Sequence, residues 1–130
     1  FLPEERDLNA LGLHLLLDLQ DCDTDLIDNL DYIEETMVKA ASEAGATVIG
    51  RTFHKFDPRG VTGVVSISES HICIHTWPEY AYAAVDIFTC GTKFKPKKAV
   101  RIIAEHFKCK QPSVTEIQRG RLSEIVSTIA

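Results

Sequence analysis

The sequence predicts an α+β domain in two layers, a largely antiparallel sheet with helices on one face, and three observations predict it. The chain begins with leucines at every second position, it carries two separate stretches of helical periodicity, and between them lie four β-rich segments joined by short turns. Strands linked by short turns run antiparallel, and two helices are enough to cover one sheet face. The predicted order is βαββββαβ.

Leu11, Leu13, Leu15, Leu17 and Leu19 give the first strand its single apolar face. Asp21, Asp23, Thr24 and Asp25 then supply helix-start chemistry. Leu26, Leu30, Ile33, Met37, Ala41 and Ala44 recur at threes and fours until Gly45 ends the pattern. Residues 46–56 are β-branched and aromatic, residues 57–60 carry turn formers including Pro58, and residues 61–67 read as the returning strand of a hairpin. Residues 71–77 alternate, Pro78 interrupts, and residues 82–88 resume β character. Pro96 opens a second helix using Ala99, Val100, Ile103 and Phe107, and Pro112 precedes a last strand over residues 114–117.

Composition narrows the function. With 130 residues, 45% of them hydrophobic and 25% charged, the chain is one globular domain that needs neither disulfides nor a structural metal. Lys and Arg total 14 against 19 Asp and Glu, and no basic stretch is interleaved with aromatics, so no nucleic acid is expected. The apolar run at residues 11–19 falls short of the roughly 20 residues that span a bilayer, so no membrane segment is expected. No secretory leader pattern is visible, and the chain opens at Phe1, so we expect trimmed ends and a cytoplasmic location. Cys22, Cys73, Cys90 and Cys109 are scattered, as reduced thiols would be.

The unusual region is residues 66–91, where Ser68, Glu69, Ser70, His71, Cys73, His75, Glu79, Asp86 and Cys90 interrupt apolar strands. Periodicity alone leaves several readings open. The polar groups can be hydrogen-bonded turn and surface residues beside packed cysteines. His71, Cys73 and His75 share one strand face and, with Cys90, could hold a metal, although the spacing lacks the usual paired-ligand form and no metal is expected. Cys90 could be a thiol nucleophile activated by a histidine that Asp86 orients.

The runs Ser68-Glu69-Ser70-His71, Ile74-His75-Thr76-Trp77-Pro78-Glu79-Tyr80 and Asp86-Ile87-Phe88-Thr89-Cys90-Gly91 closely resemble the prokaryotic S-adenosylmethionine decarboxylase proenzymes. The resemblance covers nearly the whole chain, from Gly12 and His14 through Phe53-His54-Lys55-Phe56 and Gly60-Val61-Thr62-Gly63-Val64-Val65 to Cys90-Gly91. It implies a single pyruvoyl-dependent decarboxylase domain over residues 1–130, which cuts itself between Glu69 and Ser70 to give residues 1–69 and 70–130. It also implies a homodimer of processed protomers, an αββα assembly.

By the same resemblance, the Ser70 hydroxyl attacks the Glu69 carbonyl, and elimination from the resulting ester leaves a pyruvoyl group on residue 70 as the cofactor. The substrate amine then condenses with it as a Schiff base, and no pyridoxal phosphate or metal is required. His75 matches the processing base, and Thr62 stands where the family usually has an assisting serine. Cys90 matches the proton donor, Phe56 the aromatic that stacks on adenine, and Glu79 the carboxylate that accepts from ribose hydroxyls. The small-molecule substrate is S-adenosylmethionine, whose decarboxylated product donates aminopropyl groups in spermidine synthesis. The chain departs from the family pattern at Leu13, usually Arg or Lys, at Ala81, usually Gly, and at Asp57-Pro58-Arg59. Asp57 beside Phe56 could pair with a cationic side chain, so arginine or ornithine is the alternative substrate. An inactive regulatory partner is a further alternative, against which the intact Ser70, His75 and Cys90 set stands.

Overall fold

Alternating leucines commit the start of the chain to a half-buried strand, and the rest of the domain is built around it. A computed structural model describes residues 10–122. They form β1 (Ala10–Gln20), a 3-10 turn (Leu26–Asp28), α1 (Leu30–Glu43), β2 (Val48–Lys55), β3 (Val61–Ile67) and β4 (Ser70–Trp77). A second 3-10 turn (Pro78–Tyr80), β5 (Tyr82–Thr89), α2 (Pro96–His106) and β6 (Gln111–Arg121) complete the predicted order. One antiparallel sheet results, with strand order β2-β3-β4-β5-β1-β6.

Leu13, Leu15, Leu17 and Leu19 are all buried beneath the helices, as the alternation predicts. Leu11 is not, because the β1–β5 pairing ends at Leu13, opposite Thr89, and Leu11 lies beyond the cover that β5 provides. Ile33, Met37, Ala40 and Ala41 of α1 and Ala99, Val100 and Ile103 of α2 face the same core. Helix α1 starts later than the sequence pattern suggests. Asn29 takes an extended conformation and its side chain accepts from the Tyr32 N–H, a helix cap that separates α1 from the 3-10 turn before it. The last strand runs well beyond residues 114–117 and includes Pro112, which is tolerated because β6 is an edge strand.

The two faces of the sheet differ sharply. On β4, Ile72, Ile74 and Thr76 are buried under the helices, while Cys73, His75 and Trp77 point the other way. Ile67, Val65 and Val61 of β3 and Ala83, Val85, Ile87 and Thr89 of β5 keep the same alternation. No element of the described residues covers the second face, which exposes Val64, Trp77 and Ile117.

Candidate functional site

The residues singled out from the sequence fall into two groups at opposite ends of β4. The first group surrounds the tight turn between β3 and β4, where Ile67 pairs with Ser70 and only Ser68 and Glu69 lie between. Glu69 has φ 65°, the left-handed region that glycine occupies without cost and other residues occupy at about 1–2 kcal/mol. Its carbonyl oxygen accepts from the Cys90 N–H at 3.2 Å. Its carboxylate reaches over Gly91, where a Cβ would lie 2.7 Å from Oε2. The turn is tied from its other side by the Ser68 N–H, which donates to the Thr47 carbonyl at 2.9 Å.

Ser70 opens β4 opposite Thr89 of β5, and both side chains point toward the helix layer. Ser70 Oγ and Thr89 Oγ1 are buried without a hydrogen-bond partner among the described residues. Such orphans are uncommon, because buried polar groups are nearly always paired. The Cys90 thiol, one residue beyond β5, is exposed. Leu13, where the family usually carries a base, continues the Ser70–Thr89 row across β1 and is buried.

The second group lies on the open face at the far end of β4. His75 pairs with Thr62 across β3 and β4, and Thr62 Oγ1 is 3.0 Å from His75 Nδ1. Thr62 is in turn opposite His54 of β2, whose ring meets Phe56 edge-on at 4.6 Å between centroids. Phe56 is half-exposed. The turn carrying Phe56 and Asp57 is held by Asp28, whose Oδ1 accepts from the Gly60 N–H at 2.9 Å and lies 3.1 Å from Lys55 Nζ. The Gly60 N–H, followed by Lys55, holds the Asp28 carboxyl below its ordinary range. Glu79, on the second 3-10 turn, lines a groove of about 390 Å³ with Thr24, Asp25, Asp28, Pro58 and Arg59. Asp57 is exposed and does not line that groove.

His75 and Ser70 are therefore not neighbours within one chain. Five residues of extended strand span about 16 Å, and an odd separation puts the two side chains on opposite faces. His71, Cys73 and His75 do share the open face, but they are strung along β4. No group of three or more His, Cys, Asp or Glu among the described residues is arranged to hold a metal ion. Cys73 has its thiol pushed up by burial and then by Asp86. The sequence carried no signal for Asp28 as the tether of the Phe56 turn, because an aspartate in a polar stretch reads as solvated surface.

The architecture and motifs match known proteins. A family model described as S-adenosylmethionine decarboxylase matches residues 13–120. A curated relative from Acetivibrio thermocellus, named S-adenosylmethionine decarboxylase proenzyme, is 52% identical over 119 residues, covering 92% of this chain and 96% of the relative. One of the same name from Thermodesulfovibrio yellowstonii is 50% identical over 114 residues, covering 88% of this chain and 84% of the relative. Among solved structures, the adenosylmethionine decarboxylase from Aquifex aeolicus superposes with a TM-score of 0.80 at 40% identity, covering 85% of this chain and 92% of that one.

Proposed function

The chain belongs to the S-adenosylmethionine decarboxylase family, and we propose that it becomes active by cutting itself between Glu69 and Ser70 and working as a homodimer. It is a carboxy-lyase acting on S-adenosylmethionine. The observation that carries the self-cleavage is the Glu69–Ser70 turn. There a left-handed Glu69 has its carbonyl held by the Cys90 N–H, next to a buried Ser70 hydroxyl that no other group among the described residues engages.

The steps follow from these groups. Ser70 Oγ bonds to the Glu69 carbonyl carbon, the carbon–nitrogen bond to residue 70 breaks, and the hydroxyl proton passes to the freed nitrogen. The charge that develops on the Glu69 oxygen is met by the Cys90 N–H, a preorganised donor. From this ester a base removes the Ser70 α-proton and the Cβ–Oγ bond breaks. Residues 1–69 leave with a carboxylate, and water then displaces ammonia from residue 70. The residues fit a pyruvoyl group at this position, because the partnerless Ser70 side chain is free to react and Cys90 stands beside it. That group supplies the electrophilic carbonyl and electron sink that amino-acid decarboxylation needs.

His75 is the proposed base, and its separation from Ser70 within one chain supports its serving the Ser70 of a second copy. Thr62 Oγ1 fixes the His75 ring through Nδ1, leaving Nε2 to take the proton. The open face, which no element of the described residues covers and on which Val64, Trp77 and Ile117 are exposed, supports pairing of two sheets face to face into the αββα assembly. A twofold axis lying between the sheets and across the strands sets the start of β4 in one protomer over the end of β4 in the other. Phe56 then offers its ring to the adenine, Glu79 accepts from the ribose hydroxyls, and Cys90 holds the proton that returns to the substrate α-carbon. Asp57 follows Phe56 in the chain, and we propose the cytoplasm as the location of the reaction.

Carbon dioxide release from S-adenosylmethionine, arginine and ornithine in parallel, each with Ser70→Ala as blank, tests this reading. Release from S-adenosylmethionine alone is expected. Release only from a basic amino acid would overturn the roles of Phe56 and Glu79 and turn attention to Asp57.

A further inference from the structure

The buried Ser70–Thr89 pair is not accounted for by the roles described so far. Because the Cys90 N–H bonds to the Glu69 carbonyl, residues 69 and 90 form a hydrogen-bonded rung, and the next rung, Ser70 opposite Thr89, is a non-hydrogen-bonded one. In such rungs the side chains lie closest, with Cβ atoms about 4.5–5.5 Å apart. Both side chains point into the helix layer, Thr89 is 1% exposed, and neither hydroxyl has a partner among the described residues. The remaining orphaned oxygen of this row, Gln118 Oε1, is two strands away from Thr89 and beyond its reach.

We propose that Thr89 is a positioning residue for the self-cleavage: its hydroxyl accepts the Ser70 O–H and turns Ser70 Oγ toward the Glu69 carbonyl carbon. The proposal rests on self-cleavage at this bond. Thr89 is suited to the task because its β-branched side chain is stiff at χ1, so a rotation of the freer Ser70 brings the pair together on a fixed acceptor. It also adjoins Cys90, so two consecutive residues grip both reactants, the carbonyl through the Cys90 N–H and the nucleophile through the Thr89 hydroxyl. Thr89 keeps its own proton throughout. The new bond joins Ser70 Oγ to the Glu69 carbon, the bond that breaks is Glu69 C to Ser70 N, and the Ser70 hydroxyl proton ends on that nitrogen.

The test follows cleavage of the full-length chain by mass under denaturing conditions, in Thr89→Val, which keeps shape and loses the hydroxyl, and in Thr89→Ser, which keeps the hydroxyl. Thr89→Val is expected to slow the appearance of residues 1–69 by at least about tenfold, and Thr89→Ser to restore it to within about threefold. Hydroxylamine, which cuts esters, separates the steps: it is expected to release fragments from His75→Ala at least about tenfold faster than from the double variant Thr89→Val with His75→Ala, whose ester forms slowly. Melting of Ser70→Ala with and without Thr89→Val, both uncleavable, is expected to show no loss of stability, because the orphaned hydroxyl contributes no bond to the fold. Wild-type rates in Thr89→Val, hydroxylamine release that Thr89→Val does not slow in the His75→Ala background, or a Thr89→Ser as slow as Thr89→Val would each overturn the proposal. A wild-type chain that never cuts at Glu69–Ser70 would overturn the cleavage reading itself, and the role of Thr89 with it.

Discussion

Placing Ser70 and His75 at opposite ends and on opposite faces of β4 makes a quantitative prediction about mixed dimers. Neither Ser70→Ala nor His75→Ala alone should cleave, the first lacking a nucleophile and the second a base. When the two are co-expressed in equal amounts, random pairing puts about half of the His75→Ala chains opposite a Ser70→Ala partner. Each such heterodimer contains one complete site, built from the Ser70 of one chain and the His75 of the other. About half of the His75→Ala chains should therefore appear as residues 1–69 and 70–130, and none of the Ser70→Ala chains should. A mass tag on one of the two chains distinguishes them in a denaturing mass spectrum. Had His75 reached its own Ser70, it would have had to cross about 16 Å along its own extended strand. The complete absence of cleaved chains in the co-expressed sample, with wild type cutting normally, would refute the shared-site reasoning. Cleavage of His75→Ala on its own would refute the role of His75.

Phe56→Ala should raise KM for S-adenosylmethionine about 2–10-fold with little change in kcat, the range expected when one aromatic stacking partner is lost, as steady-state kinetics will show. Ala81 sits at φ 52°, where the family usually has glycine, so Ala81→Gly should add about 1 kcal/mol of stability, read as a higher Tm. The Cys22 thiol is pushed up from 9.0 to about 12, first by burial and then by Cys109. A raised folded pKa means that its contribution to stability is intact below pH 9 and fades as pH climbs toward about 12. Cys22→Ala should therefore lose less stability than wild type across that window, measured by denaturant midpoints.

The order of elements and the one-sided core were legible because leucines at period two and apolar residues at threes and fours are direct images of strand and helix. The start of α1 was less so. Asp23, Asp25 and Asn29 all have capping chemistry, and only the backbone decides that Asp23 Oδ1 caps the 3-10 turn while Asn29 caps the helix. In the site, the family motif marks Ser70, His75 and Cys90, and the odd spacing of Ser70 and His75 already places them on opposite faces of a strand. Thr89 gave no signal, since a threonine closing a strand is ordinary until its hydroxyl is found buried and unpaired. The same holds for Lys97, one turn-opening lysine among several in sequence. In the fold its side chain is nearly buried, with Nζ 3.4 Å from Glu116 Oε1.

The division of the site into two halves explains why the reactive turn can be tight without being sterically self-sufficient. A two-residue turn with a left-handed glutamate offers its carbonyl to the Cys90 N–H, and on the proposed reading this would prepare the Glu69–Ser70 bond for attack. His75, the proposed base, lies on the far end of the same strand, bonded to Thr62 and exposed on the open face. An unpaired chain would thus be poised for ester formation but lack a base for elimination, and chain cleavage would await assembly. On the proposed reading, coupling the irreversible step to pairing would let the electrophile appear only where Phe56 and Glu79 of the facing chain could bind a substrate beside it.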